Sequence, residues 1–403
     1  MPFINDQRTT LNIEQGRRVT DAEPKIALLD PQITPLMAAF GNYGRDFAHK
    51  GNNSVEVTGV PLMKRETYNP RFDWWEDAVR DRADAINNVG GYLPGDTALV
   101  VDDADVFFAG AEVYVPSTGE IMIVDSVNVG TFTITVRRGI GTVAQALADD
   151  DILIVLGSVY PEGTLSRTSK TTLETNQYNY TQIFRTPFSV TRTLDKSKLW
   201  TENDYVYEMR KQGIEHLKDI ERAFWFGSRS EQVNGVTGTP ERTTGGIIGK
   251  ITTNVESATG TLTEAEWEAF LEEAFQSGST RKFAFCSPRA LSVIAQFGTQ
   301  KLQVNNPGSK IIYGLSVYEY LSPHGIVHLV RTPLFTEVPS SVVSVIVLDM
   351  ENVKYRFLSD SDTKLYEDIQ ENDRDGKKGE YLTECGIQVM LEQTHAILTD
   401  VNA

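Results

Sequence analysis

The chain has 403 residues, enough for two or three domains with real cores, and its 40% apolar and 23% charged content is that of folded soluble proteins. No window approaches about 18 uninterrupted apolar residues, which excludes a helical membrane span, and MPFINDQRTT lacks the basic start and apolar run of a secretory signal. A net charge of -17 without an evident basic patch argues against direct reading of DNA bases, yet it suits a container for DNA as well as an ordinary cytoplasmic enzyme.

Residues 1 to about 50 carry Pro2, Pro24, Pro31 and Pro35 and show no sustained helical or strand period. Such a segment reads as an arm that gains order by lying on something else. SVEVTGVPLMKRETY (54–68) reads as extended. The state of FDWWEDAVRDRADAINN stays open, because Trp74 and Trp75 side by side cannot share one helical face. From 92 to 157 short strand-like runs recur between Gly and Asp turns: TALVVDD, AEVYVPSTGE, IMIVDSV, TFTITVRR and DILIVLG. Thr131, Thr133 and Thr135 alternate with Phe132, Ile134 and Val136, giving one polar and one apolar face. Five such runs predict a small sandwich or barrel set inside another fold. YPEGTLSRTSKTTLETNQYNY is polar, rich in Thr and Ser and poor in core residues, so it is either a linker or an arm buried by a neighbour.

The spacing of Val206, Met209, Leu217, Ile220 and Phe224 predicts one long helix from about Glu202 to Phe226, capped by Thr201 and stopped by Gly227. At 1.5 Å per residue it is a rod of roughly 37 Å. From residue 228 the pattern is α+β. Thr263 and Glu266 form a capping box, followed by Trp267, Phe270, Leu271, Ala274 and Phe275 on one helical face. RKFAFC is a strand that leads into a helix, RALSVIAQF, with Pro288 at its first position. KIIYGLSVYEY, GIVHLVRT, SVVSVIVLDM, NVKYRFL and a pair around YLTECGIQVMLEQ and THAILTDV are strands.

Chemistry-bearing motifs are sparse. TTGGIIGKIT (243–252) misses the phosphate-loop spacing, with Thr244 where the first Gly belongs and Ile251 where Ser or Thr would ligate magnesium. Pro323 and Gly325 break any helix around His324 and His328, which therefore make a poor metal pair. Cys286 with His395 could be offered as a thiol pair, but Cys286 ends an apolar strand, where an inert buried thiol is the ordinary occupant. Cys286 and Cys385 lie far apart and read as reduced cysteines. Asp102, Asp103, Asp105 and Asp149 to Asp151 are acidic turns, solvated by default, where a divalent ion between subunits is the sharper alternative. Trp225 and Trp267 lie on amphipathic helices and read as core; Trp74 and Trp75 read as a subunit contact. No catalytic, cofactor-binding or metal-binding residue is assigned.

The order of these elements resembles the major capsid protein fold of tailed bacteriophages, which the herpesvirus capsid floor shares. The resemblance runs from about 50 to 400. It is nearest to the subgroup with a β-domain inserted in the extended loop, on FDWWEDAVRDR, GEIMIVDSV with TITVRRGIGT, YPEG, TQIFRTPFSV, and ERAFWFGSR with RTTGGI. It implies an α+β fold with an N-terminal arm at 1–50 and an extended loop at 51–90 and 158–193. It implies an inserted all-β domain at 91–157, a peripheral domain with the spine helix at 194–240 and 346–403, and an axial domain at 241–345. It further implies a structural shell subunit rather than an enzyme, with no cofactor and no membrane, assembling with itself into pentamers and hexamers around double-stranded DNA held by proximity. A separate scaffolding protein, a portal and decoration or minor capsid proteins are the other implied partners, since no processing site can be placed at the N-terminus. The expected location is the virion capsid, assembled in the cytoplasm of a bacterial host. Some phages of this fold cross-link Lys to Asn; Lys170 lies on the proposed loop but reads as an ordinary solvated lysine. The alternatives are a bacterial nanocompartment shell, against which the inserted domain and long arm argue, and a soluble hydrolase or transferase with a β-rich accessory domain.

Overall fold

The computed structural model describes residues 34–41, 63–165, 169–199, 203–297, 311–312, 315–316 and 318–402. The chain divides into two compact units, residues 1–74 with 177–403, and residues 75–176.

The first unit is built on two sheets. One orders strands Met63–Thr67, Val353–Leu358, Gly376–Val389 and Gln182–Thr191, with Lys364–Tyr366 also paired to the long third strand. The other orders Val255–Thr261, Ala396–Asn402, Val345–Leu348, Arg281–Cys286, Ile326–Arg331 and Tyr318–Leu321. The centre of this second sheet is apolar on both faces, as a doubly covered sheet requires. Phe283 and Phe285 face one core while Ala284 and Cys286 face another; Ile346 and Leu348 divide from Val345 and Val347 in the same way. A period of two therefore sorts one strand's side chains between two cores.

The helices serve these cores. α1 (Pro35–Gly41) packs Leu36, Ala39 and Phe40 into the first core. The sequence showed no helical period in this arm, and seven residues are too few to make one; tertiary packing supplies the stability instead. α2 (Arg192–Lys196) is a single turn leading to α3 (Asp204–Phe226), the long rod. α3 is capped by Asn203, whose side chain accepts from the Tyr205 N–H at 2.9 Å. The expected cap, Thr201, lies outside the described residues. Only the second half of α3 is deeply buried, through Ile220, Phe224 and Trp225; Val206, expected in the core, is exposed.

α4 (Glu264–Ala274) and α5 (Pro288–Phe297) pack on the second core. The Thr263–Glu266 capping box is present, and Trp267, Phe270, Leu271 and Ala274 are buried as their spacing predicts. Thr263→Ala is expected to lower stability by about 1 kcal/mol, read as a lower urea midpoint with an unchanged slope.

The Trp74–Trp75 ambiguity resolves to a strand, Arg71–Glu76, which pairs with Thr175–Tyr180. Alternation puts Trp74 inside, at 7% exposure, and Trp75 outside at 69%. Strands Val345–Leu348 and Ala396–Asn402 lie in the six-stranded sheet with Arg281–Cys286. Ala396–Asn402 pairs in parallel with Val255–Thr261 across more than a hundred residues, a contact no local pattern announces.

Within residues 75–176 a six-stranded sheet orders Ala83–Ala85, Ile152–Ser158, Ala111–Val115, Glu120–Asn128, Thr133–Arg137 and Ala98–Val100. The five expected strands are all present. The sheet starts earlier than residue 91 because Ala83–Ala85 joins its edge, a strand too short to show a period. Phe132 breaks the expected alternation: it has φ of 50°, caps a short 3-10 turn and is exposed. At the core's margin Glu120 is fully buried and takes the Arg138 guanidinium at 2.6 Å on each oxygen. Burial pushes its carboxyl up, but Arg138 and the N–H groups of Gln145 and Gly139 outweigh that and hold it below the ordinary range.

Candidate functional site

The glycine segment that resembles a phosphate loop has another task. α3 ends with unsatisfied carbonyls. Gly246 N–H donates to Gly227 O at 2.8 Å, Ile247 N–H to Phe224 O at 2.8 Å and Ile248 N–H to Trp225 O at 3.2 Å. The backbones approach so closely that a Cβ on Gly246 would lie 2.7 Å from Gly227 N and Trp225 O. The two glycines therefore allow backbone to latch the helix terminus, and their N–H groups are turned to carbonyls rather than to a phosphate.

α3 also carries buried polar groups that sequence reasoning passed over. Glu221 is fully buried; Oε1 accepts from Leu36 N–H at 3.2 Å and Oε2 from Met37 N–H at 3.0 Å, both at the start of α1, with Trp225 Nε1 at 3.4 Å. Burial raises its carboxyl to about 8, although these three donors pull the other way. Its place beside Ile220 and Phe224 on the apolar stripe is the signal that could have marked it. One turn earlier His216 bridges Thr186 Oγ1 at 2.8 Å and Thr383 Oγ1 at 2.7 Å, tying the rod to two strands of the five-stranded sheet; burial lowers its pKa. Lys282 is fully buried and donates to the carbonyls of Ala274, Ser277 and Thr394 at 2.6 to 2.7 Å, closing the end of α4.

The remaining candidates do not converge. Cys286 donates to Ala284 O at 3.5 Å, and burial pushes its thiol far up. His395 accepts from Asp349 N–H at 3.1 Å through Nδ1 and meets Met390 O through Nε2 at 3.2 Å; burial lowers it to about 4. Each is committed to backbone groups of its own surroundings. His328 is buried in strand Ile326–Arg331 against the Phe283 ring. Among the described residues no group of three His, Cys, Asp or Glu is placed to hold a metal.

The acidic turns are used locally. Asp102 accepts from Asn87 Nδ2, Asp103 from Asp105 N–H, Asp149 from Asn88 N–H and Asp151 from Ala148 N–H, all at 2.6 to 2.8 Å. Lys170, read as a solvated lysine, is in fact paired with Asp105 at 2.6 Å. Among the described residues these carboxylates do not gather into a group that could hold a metal. A chelator is expected to leave the melting temperature unchanged, measured by scanning calorimetry.

A cavity of about 680 Å³ opens beside the helix latch, lined by Trp74, Tyr178, Phe226, Gly246, Ile248 and Lys250 among others. The Tyr178 ring lies between the Arg71 and Arg229 guanidinium groups, each 4.0 Å from its centroid. Lys250 Nζ donates to Gln177 Oε1 at 2.7 Å. The lining holds no carboxylate, thiol or imidazole; its polar side chains are Gln177, Tyr178, Asn179, Ser228, Arg229 and Lys250. The more informative surface lies between strands Ile152–Ser158 and Thr175–Tyr180, where Leu165 is 92% and Leu173 86% exposed. The described part of that stretch has no secondary structure. Both leucines are available to a contact surface with another chain.

A family model described as SU10 major capsid protein matches residues 3–402. A curated relative named "Major capsid protein", from Pseudomonas phage PaMx41, is 25% identical over 282 residues, which cover 67% of this chain and 66% of the relative. The match thus spans slightly under two thirds of that relative's length. Among solved structures, the capsid of a native GTA particle aligns over 98% of this chain and 99% of its own, with 9% identity and a TM-score of 0.52. A structure titled Microbacterium phage Oxtober96 aligns over 95% and 96%, with 9% identity and a TM-score of 0.45.

Proposed function

We propose, from the premise that this chain belongs to the SU10 major capsid protein family, that it is the subunit that tiles the icosahedral shell of a tailed phage and encloses its double-stranded DNA. Its mechanism is association. Copies join into pentamers and hexamers, and a closed shell multiplies contacts that are individually modest. The observation that carries this reading is the bare extended stretch with Leu165 and Leu173 exposed. Leu165 and Leu173 would be covered by a neighbour.

In this reading residues 1–50 are the arm, 51–90 and 158–193 the extended loop, and 91–157 the inserted all-β domain. The chain acts without a cofactor and catalyses nothing. Its assembly, in the cytoplasm of the bacterial host, is guided by a separate scaffolding protein, and portal and decoration or minor capsid proteins complete the shell. Negative-stain electron microscopy of the protein expressed in bacteria, alone and with a candidate scaffold, tests this. Closed particles or stable hexamers and pentamers are expected with the scaffold. Regular shells formed without any scaffold would remove the scaffolding requirement, and a clean monomer under both conditions would overturn the shell reading.

A further inference from the structure

One face of the five-stranded sheet lies in the core, through Val353, Tyr355, Ile387 and Val389. Alternation turns Lys354, Arg356 and Gln388 to the opposite face. The register sets Arg65 across from Arg356, and Lys354 across from Gln388. Three cations thus share adjacent rungs of one face, and among the described residues none of them makes an ion pair.

Arg356 is the unusual member, because it is only 8% exposed. Its guanidinium lies 5.6 Å from the Phe72 ring centroid; Nε donates to Gln388 Oε1 at 2.7 Å and Nη1 to Glu66 O at 3.5 Å. Burial and the neighbouring Arg65 bring it down to about 10, and burial with Arg356 and Arg65 lowers Lys354 as well. The carboxylate of Glu384, on the same face, accepts from Thr181 Oγ1 at 2.9 Å and makes no ion pair among the described residues. A buried cation without a counter-ion is costly, and among the described residues no carboxylate pairs with this face.

The complementary charge lies at the other end of the same strand. Residues 367–375 precede Gly376 and contain Glu367, Asp368, Glu371, Asp373 and Asp375, with Arg374 the single cation. Asp375 pairs with Arg192 and Glu367 accepts from Tyr205. Asp368, Glu371 and Asp373 are exposed and make no ion pair among the described residues. From Gly376 to Gln388 the strand runs twelve steps of about 3.3 Å, or roughly 40 Å. The two patches cannot meet within one chain.

We propose that Arg65, Lys354 and Arg356 receive the acidic 367–375 segment of a second copy. This rests on the shell-subunit reading and specifies one of its contacts. Three unpaired carboxylates match three unpaired cations, and Arg takes carboxylates in a paired geometry; that match favours a second copy over the phosphates of nucleic acid. A receptor at one end of a rigid strand and its ligand at the other make a head-to-tail contact, the kind that closes into rings.

The test uses the full chain. Charge reversal at the two more exposed cations (R65E with K354E) leaves buried Arg356 in place, and circular dichroism melting of the unassembled subunit checks folding. Particle and capsomer yields are read by sedimentation and electron microscopy, with scaffold where wild type needs it. Reversal is expected to cut yield at least about tenfold, since facing like charges across an interface is strongly unfavourable. Mixing with, or adding in cis, D368K/E371K/D373K is expected to restore it. Wild-type yield from R65E/K354E would overturn the proposal, as would loss of assembly that the reversed acidic segment does not rescue. Normal empty shells that fail only to retain DNA would assign the patch to phosphates instead. Failure of wild type itself to assemble would bring down the shell reading on which the contact rests.

Discussion

Glu221→Ala is expected to unseat α1 and cost roughly 3–5 kcal/mol, because it leaves Leu36 N–H, Met37 N–H and Trp225 Nε1 without their acceptor inside a closed core. The loss is not confined to hydrogen bonds. Leu36, Ala39 and Phe40 belong to the same core as Ile220 and Phe224, and the Phe40 ring meets the Phe224 and Tyr355 rings at 6.3 and 5.6 Å. Urea unfolding of the unassembled subunit gives the magnitude, and amide exchange at residues 35–41 shows where it falls. Full protection of those amides in the variant would mean that α1 is held without the carboxylate.

The same residue gives a pH dependence with a definite sign. Its folded value of about 8 stands above the ordinary 4.5, so the unfolded chain releases this proton first as pH rises. The stability it contributes is complete below about 4.5, declines as pH rises through about 8, and is flat beyond. Glu221→Gln, which cannot titrate, is expected to lack that decline. Comparing wild type with the variant at pH 5 and pH 9 cancels other groups, including buried His395 at about 4 and Lys282 at about 8. Parallel curves would show that Glu221 is ionised throughout.

Gly246→Ala is the second large effect. The added Cβ would fall 2.7 Å from two backbone atoms, which cannot step aside as a flexible side chain does. About 2–4 kcal/mol is expected from strain and from loosening the three hydrogen bonds that close α3. Gly249, with open space where its Cβ would be, is the control and should tolerate alanine. Equal effects at both positions would refute the latch, and stabilisation of the wild type by inorganic phosphate would reopen the phosphate-loop reading.

These examples mark where sequence was readable. α3, α4 and α5 repeat an apolar face over enough turns to be seen, and the capping box and Pro288 mark where α4 and α5 begin. The strands between 92 and 157 alternate clearly. α1 is too short for a period, and its helix exists because a buried carboxylate and an aromatic cluster receive it. The pairings of Met63–Thr67 with Val353–Leu358, and of Val255–Thr261 with Ala396–Asn402, join distant segments whose own residues name no partner. The buried charges were hidden for a different reason. A Glu within a helix, or a Lys at the head of a strand, reads as solvated surface, and only burial turns it into a fixed point of the fold. Glu221 and Lys282 were visible as positions but not as environments.

The most direct measurement is a cryo-electron microscopy map of particles assembled from this chain. Leu165 and Leu173 are predicted to lie against a neighbouring copy in every subunit. A closed shell in which both leucines stay bare to solvent would contradict the account.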